Sequence, residues 1–312
     1  MPVVHVSVDP FHLPSLFQLR SLADAIDGSA APAIKTLSPL PRCGSVAILP
    51  GSFNPPTAAH GLLAERALSE GFERVLFALP LRPLGKPQTG LILEDRLIAL
   101  RALGGTVTGV GLCSHGLYAD MAEAACAAFP DARVTFLIGS DKVLQIFDGR
   151  WYRDRDEALD RLFARASMLV APRFDQTERM REVLRAPANR RFADRVSVLR
   201  LHPAVSDLSS TRVRGLLRAG ADPAGLVPGV VADLLRQTGA FATPLVVGGD
   251  EVDAYDVRAR LIDLVWRERG HDGAGIDLGR LVRIALSPTD AGRSLRRRLW
   301  SGAVHAEELE TV

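Results

Sequence analysis

GSFNPPTAAHG, residues 51–61, joins a short apolar run to a stretch with helical spacing. The apolar run, residues 46–49, has the composition of a buried strand, and LLAERALSEG after the loop places its leucine and alanine side chains on one helical stripe. Gly51 lets the backbone approach a ligand closely, and Thr57 is a suitable N-cap with His60 on the same helical face. We therefore predict a strand–loop–helix unit. Its helix N-terminus offers unpaired N–H groups and a partial positive charge, which suit a phosphate ligand.

The rest of the chain repeats this alternation of short apolar runs and helical patterns. We predict further strands over residues 74–79, 134–138, 167–171 and 196–201. Helices are predicted over residues 95–103, 120–129, 177–185, 210–219 and 229–237. Strands that alternate with crossover helices indicate an α/β protein with a doubly wound parallel sheet, in which ligands bind at the carboxyl ends of the strands.

Two segments lie outside this α/β core, and we divide the chain into an N-terminal extension (1–43), an α/β domain (44–243) and a helical C-terminal extension (244–312). The first segment contains HVSV, a candidate strand, and LFQLRSLADAI, a candidate helix. The last segment has helical patterns over residues 252–268 and 278–286.

The predicted helix over residues 252–268 is amphipathic. Its apolar stripe consists of Val257, Leu261, Leu264 and Val265. Its arginines lie largely off that stripe: Arg258, Arg260, Arg267 and Arg269. An isolated helix of this length is marginal in water, so we expect a small helical appendage docked on the core or on a second copy of the chain. We expect removal of residues 244–312 to lower stability or self-association and to leave the functional groups of the α/β domain in place. The basic run over residues 293–300 has few aromatic residues, which favours a solvated helix face over a nucleic-acid surface.

Composition excludes several classes of protein. With 312 residues, 47% of them hydrophobic, and a formal net charge of +2, the chain can bury a sizeable core and lacks the charge of a strongly basic nucleic-acid binder. No apolar stretch reaches about 18 residues, so no membrane partner is expected. The three cysteines, Cys43, Cys113 and Cys126, have neither disulfide-framework nor metal-ligand spacing. We expect a cytoplasmic protein.

Several motifs, in order along residues 44–241, resemble those of nicotinamide/nicotinate mononucleotide adenylyltransferases of the nucleotidylyltransferase superfamily. GSFNPPTAAH resembles the G-x-F-x-P-x-[HT]-x-x-H signature, and LSSTRVRGLLRAG resembles the I-S-S-T-x-I-R motif. FLIGSDKVLQIFDGRWY is similar to the F-I-x-G-x-D…W segment, GLVPGVVADLL to the L-V-P-x-x-V ending, and LPLRPLGKP with LEDRLIAL to the proline-and-lysine loop before a helix. The resemblance implies a Rossmann-like nucleotidylyltransferase fold and transfer of AMP from ATP to the 5′-phosphate of a pyridine mononucleotide, with release of pyrophosphate. It further implies a role in NAD biosynthesis.

The resemblance also implies roles for individual residues. His60, with Thr57 beside it, would stabilise the α-phosphate, Lys86 would be a mobile charge on a phosphate, and Arg214 would supply a fork of donors. These four form the expected catalytic set. The expected ATP-binding residues are Gly51, Ser52, Phe53, Gly139, Asp141, Ser209, Ser210 and Thr211. Trp151 would stack on the pyridine ring. Mg²⁺ would be held through phosphate oxygens and water, without a protein metal site.

Other interpretations stay open. Thr57 replaces the more common first histidine, and Gly85 precedes Lys86 where a histidine is common. Around residues 104–118 the aromatic and threonine residues that usually hold the pyridine ring have no clear counterpart, although Ser114, His115 or Tyr118 could substitute. The acid or amide form of the mononucleotide, a pantetheine-phosphate adenylyl- or cytidylyltransferase, and a nucleotide-binding regulatory or adaptor protein all remain alternatives. So does a homo-oligomer.

Overall fold

The computed structural model describes residues 9–26, 28, 30–83, 89–172, 176–200 and 208–311. A seven-stranded sheet lies at its centre, in the order β1-β4-β3-β2-β5-β6-β7. The strands are β1 (Ile34–Thr36), β2 (Ser45–Pro50), β3 (Arg74–Pro80), β4 (Thr108–Cys113), β5 (Arg133–Gly139), β6 (Ala166–Ala171) and β7 (Val196–Val198). β1 is antiparallel to β4, and every other adjacent pair is parallel. The predicted doubly wound α/β sheet is confirmed.

Helices follow the strands on both faces of the sheet. The α-helices that precede the C-terminal part of the chain are α1 (Leu13–Asp24), α2 (Ala58–Ser69), α3 (Leu93–Arg101), α4 (Tyr118–Ala128), α5 (Ser140–Ile146), α6 (Arg155–Arg165), α7 (Thr177–Arg185), α8 (Ser210–Arg218) and α9 (Gly229–Thr238). One hydrophobic cluster fills each side: the first includes Leu49 and Phe77 and extends to the C-terminal helices, and the second includes Ile48 and Phe136.

The strand order places the start of the α/β winding in the middle of the sheet. From β2 the chain passes to β3 and β4 on one side, and β5, β6 and β7 extend the sheet on the other. β2 is almost wholly buried along its length, as expected for a central parallel strand. The carboxyl end of β2, next to that of β5, is therefore the topological switch point, where α/β proteins bind their ligands.

The sequence did not predict strand β4 or its edge partner β1. β4 contains Gly109 and Gly111, which lower the strand signal. Both glycines make room for the segment around β1: a Cβ at Gly109 would lie 2.8 Å from the Leu40 side chain, and one at Gly111 would lie 3.1 Å from Ile34. The candidate strand HVSV lies outside the described residues.

The C-terminal part is a helical appendage, as predicted. A short hairpin of β8 (Leu245–Val247) and β9 (Asp250–Val252) precedes α10 (Ala254–Arg269), α11 (Leu278–Ala285) and α12 (Asp290–Ser301). The predicted apolar stripe of α10 is buried. Its neighbours include α1, through a Phe17–Trp266 ring contact, so a helix of the N-terminal segment packs against the C-terminal appendage. Boundaries at residues 43/44 and 243/244 stay a prediction.

Two expectations about arginines were wrong. Arg258, expected off the apolar stripe, is completely buried because it pairs with Asp95. Arg296, expected on a solvated face, is also buried, and its Nη1 donates to the carbonyl of Ala285. Among the described helices, none has both the length and the apolar character needed to cross a membrane.

Candidate active site

The loop between β2 and α2 is built around a buried phenylalanine. Phe53 has a left-handed backbone (φ 46°) and is 1% exposed, and its ring packs edge-on against Phe77 and against the His60 imidazole. A Cβ on Gly51 would lie 3.0 Å from the Phe53 ring. The Phe53 ring therefore leaves little room for a side chain at Gly51. The phenyl ring lies beneath the loop and supports the imidazole.

Thr57 and His60 form a reciprocal cap at the start of α2. The backbone N–H of Thr57 donates to His60 Nδ1 at 2.9 Å, and Thr57 Oγ1 lies 2.9 Å from the same nitrogen. Because a backbone N–H can only donate, Nδ1 is an acceptor, and in the neutral ring the proton is on Nε2. Thr57 itself is 0% exposed and does not line the cavity described below. The buried threonine therefore contacts the imidazole and does not itself line the cavity.

Helix α8 is fixed against this loop. Ser209 is its N-cap and accepts from the backbone N–H of Arg212, and Ser210 Oγ donates to the carbonyl of Pro55 at 2.8 Å. Arg214 Nη1 donates to the carbonyl of Asn54 at 2.7 Å, and its Nη2 donates to Thr211 Oγ1 at 3.2 Å. Burial, with some repulsion from Arg218, lowers the pKa of the Arg214 guanidinium. The N-terminus of α8 and this arginine face the same space as His60.

That space is a cavity of about 460 Å³ at the carboxyl ends of β2, β5 and β6. Predicted residues that line it are Gly51, Ser52, Phe53, His60, Gly139, Asp141, Ser209, Ser210, Thr211 and Arg214. Gly139 is the N-cap of α5, and Asp141 lies in the first turn of that helix. Lys142, which the sequence did not single out, also lines the cavity. The volume is within the usual range for small-molecule sites.

Other predicted residues lie elsewhere. Trp151 is in a short 3-10 turn, Gly149–Trp151, and does not line the cavity. The candidate substitutes Ser114, His115 and Tyr118 do not line it either. Lys86 is outside the described residues.

Arg96 is a cavity residue that the sequence did not reveal. It lies in the first turn of α3, is 5% exposed, and lines the cavity together with Pro83 and Thr89. Its Nε donates to the carbonyl of Leu91 at 2.7 Å. The LEDRL segment indicated only a charged helix start, because spacing does not distinguish a solvated charge from one turned inward. The one sequence feature that could have indicated a cavity residue here is the closeness of this arginine to the proline-and-lysine loop.

Asn54 connects the two halves of the site. Its side-chain amide donates to the carbonyl of Thr89 and its Oδ1 accepts from the backbone N–H of Leu91 at 2.9 Å, while its own carbonyl accepts from Arg214. The β2–α2 loop, α8 and the segment before α3 are therefore held together by one side chain and its backbone.

The fold and the site together define an α/β nucleotidyltransferase. No protein-family model matches the chain. A "probable nicotinate-nucleotide adenylyltransferase" of Anaeromyxobacter dehalogenans is 29% identical over 209 residues, which cover 63% of this chain and 96% of that protein. A protein of the same name from Gemmatimonas aurantiaca is 30% identical over 201 residues, covering 61% of this chain and 89% of that protein. The chain belongs to the nicotinate-nucleotide adenylyltransferase family.

A solved structure also overlays on the chain. The nicotinic acid mononucleotide adenylyltransferase of Plasmodium falciparum, complexed with NaAD, is 14% identical and superposes with a TM-score of 0.48. The overlay covers 64% of this chain and 98% of that one.

Proposed function

We propose that the protein transfers AMP from ATP to the 5′-phosphate of nicotinate or nicotinamide mononucleotide, releasing pyrophosphate and forming a dinucleotide for NAD biosynthesis. The observation that carries this proposal is the convergence of His60, Arg214 and the N-terminus of α8 on one cavity at the switch point. The names of the relatives support the choice of a pyridine mononucleotide as acceptor. A cytoplasmic location is part of the proposal.

The chemistry needs positioning and charge stabilisation rather than a covalent intermediate. An oxygen of the acceptor's 5′-phosphate attacks the α-phosphorus of ATP in line, and the bond to the bridging oxygen of pyrophosphate breaks. His60 Nε2–H donates to the α-phosphate, where negative charge develops. Fixed donors aimed at such charge are among the largest contributions to catalysis.

The second set of donors holds the leaving group. The first N–H groups of α8, behind Ser209, Ser210 and Thr211, suit the β- and γ-phosphates. Arg214 adds a planar fork of donors at the same place. Gly139 and Asp141, at the end of β5, are assigned to the adenosine. Thr57 is assigned an indirect role: it holds Nδ1 of His60 and so directs Nε2 to the phosphate.

Mg²⁺ fits this set of residues as a companion of ATP. Asp141 is the sole carboxylate among the cavity-lining residues, and within the described ranges no cluster of three or more histidine, cysteine or acidic side chains could hold a metal ion. The ion would therefore be held by phosphate oxygens and water, with Asp141 as the nearest protein candidate. When bound, it neutralises part of the triphosphate charge.

Turnover with a panel of acceptors tests the proposal. Pyrophosphate release is measured with ATP and, separately, nicotinate mononucleotide, nicotinamide mononucleotide and 4′-phosphopantetheine, and with CTP in place of ATP. We expect release with at least one pyridine mononucleotide. Release with phosphopantetheine or CTP alone would assign a different nucleotidyltransferase, and nucleotide binding without release under every condition would favour a regulatory protein.

A further inference from the structure

The first turn of α3 contains three consecutive charged residues that are buried. Glu94 and Asp95 are 0% exposed and Arg96 is 5% exposed. Charged side chains are rarely buried unless they are paired, because loss of hydration is costly. Each of the three is therefore expected to pair with another protein group or to bind a ligand.

Asp95 is paired with helix α10 of the C-terminal appendage. Arg258 donates through Nη1 to Oδ2 at 2.7 Å and through Nη2 to Oδ1 at 3.0 Å, in a bidentate pair with both side chains completely buried. The Tyr255 hydroxyl donates to Oδ2 at 2.6 Å and accepts from the backbone N–H of Ile92, the N-cap residue of α3, at 2.8 Å. α10 thus binds both the backbone and a side chain of the first turn of α3.

Arg96 has a different environment. Its Nε is bonded to the carbonyl of Leu91, and among the described residues no acceptor is bonded to Nη1 or Nη2 and no carboxylate forms an ion pair with it. Arg96 lines the same cavity as His60 and Arg214. Burial lowers the pKa of Arg96. A buried guanidinium that lines a cavity and forms no ion pair with a carboxylate is suited to bind a planar or tetrahedral oxyanion.

The position of Arg96 relative to the sheet indicates which of the two substrates it lies closer to. It follows the carboxyl end of β3, whereas Gly139 and Asp141 follow β5, on the opposite side of β2. In the proposed function, ATP occupies the β5 side and the N-terminus of α8, which leaves the β3 side to the acceptor.

We propose that Arg96 binds an anionic group of the acceptor mononucleotide, and that Tyr255 and Arg258 of the appendage are positioning residues that hold α3 and thereby aim Arg96. This inference rests on the proposed function. The oxyanion is the 5′-phosphate or, in the acid form of the ring, its carboxylate. The appendage is then part of how the enzyme binds its acceptor, so removing residues 244–312 should weaken acceptor binding as well as stability.

Steady-state kinetics of Arg96→Gln test the ligand contact, with Arg101→Gln as the matched control, because Arg101 is exposed on the same helix. We expect the KM for nicotinate mononucleotide to rise about 10- to 100-fold, as for loss of a charged hydrogen bond, with the KM for ATP within about 3-fold of wild type. Nicotinamide mononucleotide has the 5′-phosphate but no ring carboxylate, so its KM separates the two contacts. An equal rise in its KM would assign Arg96 to the phosphate, and an unchanged KM would assign it to the carboxylate. An unchanged KM for both acceptors would overturn the contact.

Tyr255→Phe tests the positioning role, since it removes only the hydroxyl. Its control is Arg260→Gln, an exposed residue of α10. We expect the acceptor KM to rise about 3- to 10-fold while the ATP KM stays unchanged, and the double variant Arg96→Gln/Tyr255→Phe to be no worse than Arg96→Gln alone, because Tyr255 acts through Arg96. Lower stability with unchanged acceptor KM would show that α10 is merely structural. Absence of wild-type turnover with both mononucleotides would refute the proposed function itself, whereas an active enzyme with unchanged KM in both variants refutes this inference alone.

Discussion

Replacement of His60 tests the catalytic assignment most directly, because the structure gives this side chain two separable roles. His60 lines the cavity, where the proposed function assigns its Nε2–H to the α-phosphate, and its Nδ1 accepts from the Thr57 N–H at the start of α2. Loss of one preorganised donor at a centre of developing charge lowers kcat by about 10²- to 10³-fold. We expect His60→Ala to show this loss in pyrophosphate release from ATP and nicotinate mononucleotide.

The second role predicts a stability cost that depends on the replacement. His60→Ala leaves the buried Thr57 N–H without an acceptor, and loss of a capping interaction costs about 0.5–2 kcal/mol. His60→Gln keeps an acceptor at the third helical position, where glutamine occurs in capping boxes. Urea unfolding should therefore give His60→Gln a free energy of unfolding close to that of wild type, while its kcat stays as low as that of His60→Ala.

A matched control keeps the two roles apart. Thr57→Val removes the hydroxyl and retains the backbone N–H bond to Nδ1, so its kcat should fall by less than about 10-fold, as for loss of one neutral hydrogen bond. Near-normal turnover in a folded His60→Ala protein would refute the assignment of His60 to the reaction. A His60→Gln protein that recovers turnover would show that the cap, and not donation by Nε2, is what the reaction requires.

Three further predictions follow from buried or forked charges. Arg214→Lys should weaken ATP binding in titration calorimetry, because the point charge of a lysine cannot reproduce the two contacts of the arginine. Arg212→Lys, at an exposed site, should leave ATP binding unchanged. Equal effects of the two substitutions would refute the placement of Arg214. Arg258→Met should lower the free energy of urea unfolding by about 3–5 kcal/mol because it leaves Asp95 buried without its cation, and a second change, Asp95→Asn, should recover part of that loss; a cost below about 1 kcal/mol would contradict the pairing. Burial, only partly offset by Arg20, raises the pKa of Glu94 above its ordinary 4.5, so its contribution to stability is complete below pH 4.5 and is lost as pH rises through the raised folded-state value. Urea unfolding from pH 4.5 to 8 should show this component in wild type and not in Glu94→Gln, and identical pH profiles would refute it.

Glu94 forms an ion pair with Arg20 of α1, and burial affects the pKa values of the two partners differently. Burial lowers the pKa of Arg20, but its two carboxylate neighbours, Glu94 and Asp263, outweigh this and raise the pKa overall. Glu94 is more deeply buried, and its Oε2 has no hydrogen-bond partner among the described residues. For Glu94 the loss of hydration therefore exceeds the attraction, and the upward shift follows.

The sequence predicted those parts of the fold that depend on local pattern. Strands β2, β3, β5 and β6 were found from continuous apolar runs, because both faces of a central parallel strand are buried. β4 was missed because its two glycines lower the local strand signal. They are needed for packing against a segment some 70 residues earlier, and such a distant contact leaves no local sequence pattern. For the site, the signature loop and α8 have recognisable turn and cap residues, so their place at the cavity could be predicted.

What the sequence could not supply was the direction in which a charged side chain points. Arg96 and Arg258 both lie in helices with mixed charge, and spacing alone does not show whether such a residue is solvated or buried. Their surroundings differ because Asp95 draws Arg258 inward and because Arg96 follows the strand end that opens into the cavity. Such partners are distant in the chain, and pairing between them follows from the tertiary structure.

The contact between α10 and the first turn of α3 has a consequence for how the chain matures during synthesis. Asp95 and Arg258 are 163 residues apart, and Pro10, whose carbonyl accepts from Arg258 Nε, is 248 residues before it. At translation rates of about 5–20 residues per second, the ribosome needs about 8–30 s to advance from Asp95 to Arg258. Through that interval the nascent sheet lacks the cation that offsets the buried carboxylate. Arg96 should therefore reach its final position, and the acceptor its full affinity, only after α10 has emerged, even where the strands have already paired.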